Sequence, residues 1–307
     1  MGRVVVCPRR GRIRDRLRGP ALTASILIAL VAACSYGVGD FLGGVGTRRA
    51  SWLPVTIYAE IIGCIPLLIA TAWLSHATFD ANTAWGAAAG VVGAAGIGLL
   101  YRGLGSGTMS VVAPITAVCA TVLPVIAGVA FFGERPPLQA VAGIGIAIAA
   151  ILLISQAHDA PVIARTTLSL RDSIVIAFAS GICISAFLIL MSRAKSGGLW
   201  PLLVSRVVAT LSLSGLALVT RRPQLPPREI RRTAAWCGVF DAGGTIGYIL
   251  ALGRGTLGIT ATLISLYPAA TLLLARFVLD ERLRRRQMLG LACALAAVVL
   301  ITSATNR

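Results

Sequence analysis

The sequence predicts an all-α, polytopic membrane protein, with ten transmembrane helices arranged as two inverted five-helix repeats. Three observations carry that prediction. Of 307 residues, 57% are apolar and 13% charged, with a mean hydropathy of +0.86, too few charges to coat a soluble domain of this length. The apolar residues fall in blocks of roughly 20, the length of helix that crosses a bilayer's hydrocarbon core. Finally, motifs in the first half of the chain recur in the second at a nearly constant spacing.

Taken in order, the predicted spans are 22–45, 52–74, 84–102, 109–132, 137–156, 172–192, 199–220, 233–251, 256–279 and 287–304. The connections are short and carry the punctuation, as in Thr47-Arg48-Arg49, Gly133-Glu134-Arg135-Pro136-Pro137 and the Pro/Arg-rich stretch 221–232. No soluble domain fits between any two spans. Residues 1–21 form a basic tail with seven arginines, followed by a first repeat over 22–156 and a second over 172–304. A basic tail before an apolar run also suits a signal peptide, and Val31-Ala32-Ala33-Cys34 resembles a lipoprotein cleavage box. The apolar run continues through Cys34 to Val45, however, and a later helix aligns across the same point. The segment is therefore read as a retained helix.

The repeat rests on loop motifs as well as on apolar helices. Leu104-Gly105-Ser106-Gly107-Thr108 returns as Leu252-Gly253-Arg254-Gly255-Thr256, Ile26 to Ala29 parallels Ile174 to Ala177, and Trp52 parallels Trp200, all at an offset of 148. Glu134-Arg135 returns as Glu281-Arg282 at 147. Five spans is an odd number, so a tandem copy enters the membrane from the opposite side. Such pseudo-twofold architecture supports alternating access, because exchanging the conformations of the halves exchanges outward-open for inward-open.

These motifs resemble the EamA-type members of the drug/metabolite transporter superfamily. The likeness lies in the penultimate helix of each half: Leu104 through Val111-Val112-Ala113-Pro114 and Pro124 to Gly133-Glu134-Arg135, and Leu252 through Tyr267-Pro268 to Asp280-Glu281-Arg282. Tyr36-Gly37 stands where such proteins often carry an aromatic-glycine pair. The chain departs from the pattern at Thr262, where a proline is expected opposite Pro114, and at Asp280, opposite Gly133. Asp40 is not a general feature of the family. The resemblance implies a ten-helix fold with both termini cytoplasmic, and movement of small metabolites, amino acids or drugs. The expected setting is a bacterial plasma membrane, and the expected partners are a small-molecule solute and the lipid bilayer.

The net charge of +17 would suggest nucleic acid in a soluble protein. Here the arginines sit in the tail and in short loops without interleaved aromatics, where anionic lipid headgroups explain them more simply. With the termini inside, the inner face holds 12 basic residues, seven of them in the tail, and the outer face holds 14. The tail, next to the first helix, is what favours the cytoplasmic N-terminus.

No cofactor is expected. The seven cysteines are scattered singly, and His76 and His158 lie in loops, so no metal site has a ligand set. A membrane enzyme would need an acidic magnesium motif, a zinc-type histidine pair or a loop nucleophile beside a histidine, and the sequence carries none. A receptor or scaffold is the other alternative. It leaves the inverted repeat and the intramembrane carboxylates without a purpose.

Ionisable groups within spans are costly, about 3 kcal/mol each on insertion scales, so each needs a reason. Asp40 lies eight residues before Arg48, Glu60 eight after Trp52, and Asp241 eight after Thr233. At about 1.5 Å per residue, all three share a depth of roughly 12 Å below one face. They are candidates for a cation-attracting site or for proton acceptors that couple transport to the proton gradient, with Asp241, in its glycine-rich run, the leading choice. Arg206 is the available partner for a structural ion pair. Tyr36, Tyr58 and Tyr248 are candidate cavity aromatics, although Tyr58 and Glu60, two apart, do not share one helix face. Glu134 and Glu281 are expected to cap or pair at helix ends. The pairs Gly39/Gly43, Gly86/Gly90 and Gly243/Gly247 are spaced for close helix contact.

Overall fold

A computed structural model describes residues 10–74, 82–106, 109–155, 168–278 and 285–305, and among them every regular element is helical. The first half comprises α1 (Arg10–Arg49), α2 (Trp52–Leu74), α3 (Asn82–Ser106), α4 (Met109–Phe132) and α5 (Leu138–Ser155). The second comprises α6 (Leu170–Arg193), α7 (Trp200–Val219), α8 (Arg228–Leu252), α9 (Leu257–Ile264), α10 (Tyr267–Val278) and α11 (Arg285–Thr305), with a short 3-10 turn at Lys195–Gly197. His76, His158, Cys7, Gly107, Thr108 and Asp280-Glu281-Arg282 lie outside the described residues.

Seven of these helices are long and apolar enough to cross a membrane unaided. The other three predicted spans correspond to α5, to α9 and α10 together, and to α11. Side-chain size is distributed as a membrane protein requires. Alanines such as Ala29, Ala177, Ala217 and Ala251 are buried where helices meet, while Trp73, Phe131, Val219 and Leu295 face outward.

Two boundaries differ from the sequence expectation. Helix α1 starts at Arg10, so the later part of the basic tail is helical; arginine and leucine are good helix formers and extend a helix already nucleated in the apolar run. The predicted span 256–279 is broken into α9 and α10. Pro268 has no N–H to donate to the carbonyl of Ile264, and its ring crowds that carbonyl, so the helix ends before it. Leu266 N–H instead closes a tighter turn onto the Leu263 carbonyl at 3.3 Å, and Ala269 N–H bonds Leu266 O at 2.9 Å as α10 begins.

The helix contacts are those of two equivalent halves. Helix α1 packs on α8 as α6 packs on α3, and α2 packs on α8 as α7 packs on α3. Helix α4 lies on α6 as α9 and α10 lie on α1. The remaining large interfaces, α2 with α7, α4 with α9 and α5 with α11, join equivalent helices to each other. Exchanging the halves therefore maps the largest interfaces onto one another, and the space between α1/α8 and α3/α6 lies at their centre.

Candidate functional site

Backbones meet closely around that centre because glycine lets them. A Cβ on Gly238 would run into the Ala59 carbonyl of α2, and one on Gly39 would press on the Asp241 amide of α8. Gly63 of α2 likewise faces the Gly238 carbonyl and the Arg206 guanidinium. Glycine spacing in α1 and α8 thus brings three helices near enough for one arginine to reach two of them.

Arg206, on α7, does so. Its Nη1 lies 2.8 Å from Glu60 Oε2 on α2, and its Nη2 lies 2.5 Å from Asp241 Oδ2 on α8. The side chains of Arg206 and Glu60 are 7% and 8% exposed, and that of Asp241 19%. Both terminal nitrogens of the fork are engaged, so the group is a shared, charge-assisted ion pair in a water-poor interior. Asp40, on α1, stands apart. Among the described residues no cation pairs with it, and the charged group that acts on it is Asp241, of the same sign. With every group ionised, three carboxylates and one guanidinium leave the cluster two negative charges in excess.

Hydrogen bonds fix the frame. Tyr36 O–H donates to Thr245 Oγ1 at 2.9 Å, and Thr245 in turn donates to the Asp241 carbonyl at 2.9 Å. Ser35 donates to the Phe240 carbonyl at 2.6 Å, tying α1 to α8 just beside Asp40 and Asp241.

These side chains border a cavity of about 120 Å³, which Tyr36, Asp40, Glu60, Arg206 and Asp241 all line. Its opposite wall comes from α3 and α6. The offset of 148 pairs the two walls position by position: Tyr36 with Ile184, Asp40 with Leu188, Asp241 with Gly93, Thr245 with Ile97. All eight line the cavity, and in every pair the α1/α8 member is polar and the α3/α6 member is not.

Tyr248 and Tyr58 lie elsewhere. Tyr248 is fully buried and donates to the Leu188 carbonyl at 2.6 Å, bracing α8 against α6 behind the cavity wall. Tyr58 packs beside Val55, Ile230 and Ala234. Sequence reasoning missed Thr245, Phe187 and Tyr267 as cavity residues. Thr245 was within reach, since it lies one turn from Asp241 on the same face. Tyr267 borders the cavity because the helix breaks just before it, and a mid-span aromatic does not announce that on its own.

Glu134, past the end of α4, caps a helix of the other half. Its Oε1 accepts from Leu257 N–H at 2.5 Å and its Oε2 from Gly258 N–H at 2.9 Å. Thr256, at the N-cap position of α9, makes no side-chain capping bond, so the carboxylate fills that role from a distance. Gly133, at φ +65°, turns the chain back from α4 so that Glu134 can reach.

The model of the EamA-like transporter family matches residues 23–156 and again 172–303. A search of curated proteins returned no match. One solved crystal structure superposes with a TM-score of 0.72 at 17% identity, over 91% of this chain and 98% of that one, which shows a shared fold. Two copies of the family unit, a helical fold shared with a solved structure and apolar helices of membrane-crossing length converge: the chain belongs to the EamA-like transporter family.

Proposed function

We propose that this chain is an integral membrane carrier that moves a small metabolite, amino acid or drug-like solute by alternating access, coupled to the proton gradient. The solute site is the central cavity, and Asp40, Asp241, Glu60 and Arg206 are its ionisable machinery, with Tyr36 on its wall and Tyr248 supporting it from behind. In this proposal the chain spans the membrane ten times as two inverted five-helix repeats. It sits in a bacterial plasma membrane with both termini cytoplasmic.

The observation that carries the reading is the excess of carboxyl groups over cations on the cavity wall. Burying ions is costly unless they are paired, and a merely structural cluster would be balanced. An excess of carboxylates facing a cavity is an arrangement that a proton or a cationic solute can neutralise and then leave. The cavity also lies between halves whose main interfaces are equivalent, the position from which either side can be reached when the halves exchange shapes.

The test uses the full chain in proteoliposomes loaded with labelled amines, amino acids and organic acids, with and without an imposed pH gradient. The expected result is solute flux that rises with the gradient and is abolished in the Asp40→Asn, Glu60→Gln, Asp241→Asn triple variant. Flux equal to that of protein-free vesicles, or flux indifferent to both gradient and substitutions, would sink the proposal.

A further inference from the structure

From the two unlike walls of the cavity we infer that its solute is an amphipathic organic cation: one ammonium-type head held by Asp40, with an apolar body laid against α3 and α6. This rests on the carrier reading above and adds the chemical class of its cargo.

The argument begins with Arg206. A solute carboxylate or phosphate would need that guanidinium, but both of its terminal nitrogens already hold carboxylates, Glu60 at 2.8 Å and Asp241 at 2.5 Å. An anion would have to displace one of them and then sit beside the displaced charge and Asp40. A zwitterion carries the same difficulty at one end. A cation meets the opposite situation. Asp40 borders the cavity, has no cationic partner among the described residues, and is flanked by like charge from Asp241.

The rings nearby add to this preference. Tyr36 lies one turn from Asp40 on α1, and Tyr36 and Tyr267 both line the cavity within electrostatic reach of that carboxylate. Aromatic rings lining the same cavity as an anionic group suit an ammonium head.

The body of the solute follows from the broken symmetry. Each polar position on α1 and α8 that lines the cavity has an apolar equivalent on α6 or α3 that lines it too: Asp40 has Leu188 and Thr245 has Ile97. Phe187 and Leu100 extend the apolar wall. Several polar groups of the other wall are already committed, with Tyr36 donating to Thr245, Thr245 to the Asp241 carbonyl and Ser205 to the Leu202 carbonyl. A polyhydroxylated solute would therefore find few partners, whereas an apolar body loses nothing on that side. With every group ionised, one head group would balance one of the two excess carboxylates and leave the other for the proposed proton coupling.

The experiment compares probes that share a body and differ in charge: tryptamine, tryptophan and indole-3-acetate, and phenethylamine, phenylalanine and phenylacetate. Equilibrium binding of each labelled probe is measured on the full chain in nanodiscs. Each amine is expected to bind about tenfold or more tighter than its amino acid and its acid, the scale of one desolvated charge pair. Asp40→Asn, nearly isosteric, should remove that advantage without lowering the melting temperature. If an acid or an amino acid binds as well as its amine, or if no amine binds, the inference is overturned. Because binding is read at equilibrium, this failure is separate from that of the carrier reading, which is decided by flux.

Discussion

Arg206 holds two carboxylates of different helices at once, and its removal is the most informative single change at the residue scale. Arg206→Met would leave Glu60 and Asp241 buried without a counterion, which costs about 3–5 kcal/mol when one partner of a buried pair is lost. The expected outcome is a large fall in melting temperature of the purified protein. Adding Glu60→Gln and Asp241→Asn to that variant removes the orphaned charges and should restore most of the stability, with transport still absent. If the single and triple variants melt alike, the three groups are not one unit. The four ionisable members were legible in the sequence, because a charge in an apolar run needs a reason wherever it falls. Their division was not. Asp241 stood out for its glycine-rich surroundings, yet those glycines admit α1 and α2 to α8, and the guanidinium of α7 takes Asp241 while Asp40 is left facing the cavity.

At the scale of elements, α9 depends on a carboxylate that the sequence places 123 residues away from it. The helix has eight residues and lacks a local side-chain cap, so its first amides look to Glu134 across the boundary between the halves. Glu134→Ala should cost about 1–2 kcal/mol, the scale of a lost cap plus a lost charge at a helix N-terminus. It should also speed hydrogen exchange of the Leu257 and Gly258 amides, read by mass spectrometry on the intact protein. Exchange equal to that of the wild type would mean that the contact is incidental. That Glu134 serves a helix end was legible from its place after Gly133; that the helix belongs to the other half was not, since nothing in a loop motif says which N-terminus lies near. Pro66, Pro114, Pro124 and Pro268 all read in the sequence as kinks in their spans, and only at Pro268 is the span divided into two helices. Pro66 stays inside a continuous α2, whereas Pro268 stands in the first turn of α10 just after the break, a difference that residue type alone does not encode.

At the scale of the whole molecule, the equivalence of the halves has a consequence for orientation. Because exchanging α1–α5 with α6–α11 maps the main helix interfaces onto one another, those interfaces give little preference for the face of the bilayer from which the chain enters. The repeat itself was legible from its loop motifs, but its near-symmetry removes the packing preference that would otherwise help to set topology. Charge must then decide. In the proposed ten-span topology the terminal face carries, outside the tail, Arg135, Arg193, Lys195, Arg254 and Arg307, against 14 arginines on the other face. Only the seven tail arginines, five of them within the first turns of α1, oppose that bias. A fluorescent reporter fused at the C-terminus is therefore expected inside the cell for the full chain. Replacing the seven tail arginines by serine should move a measurable share of molecules to the opposite orientation, in which the reporter is dark and a phosphatase fused at the same point becomes active. A phosphatase active on the unaltered chain would reverse the proposed topology. A tail variant that keeps the reporter wholly inside would show that something other than loop charge, acting during insertion, sets the entry of the first helix.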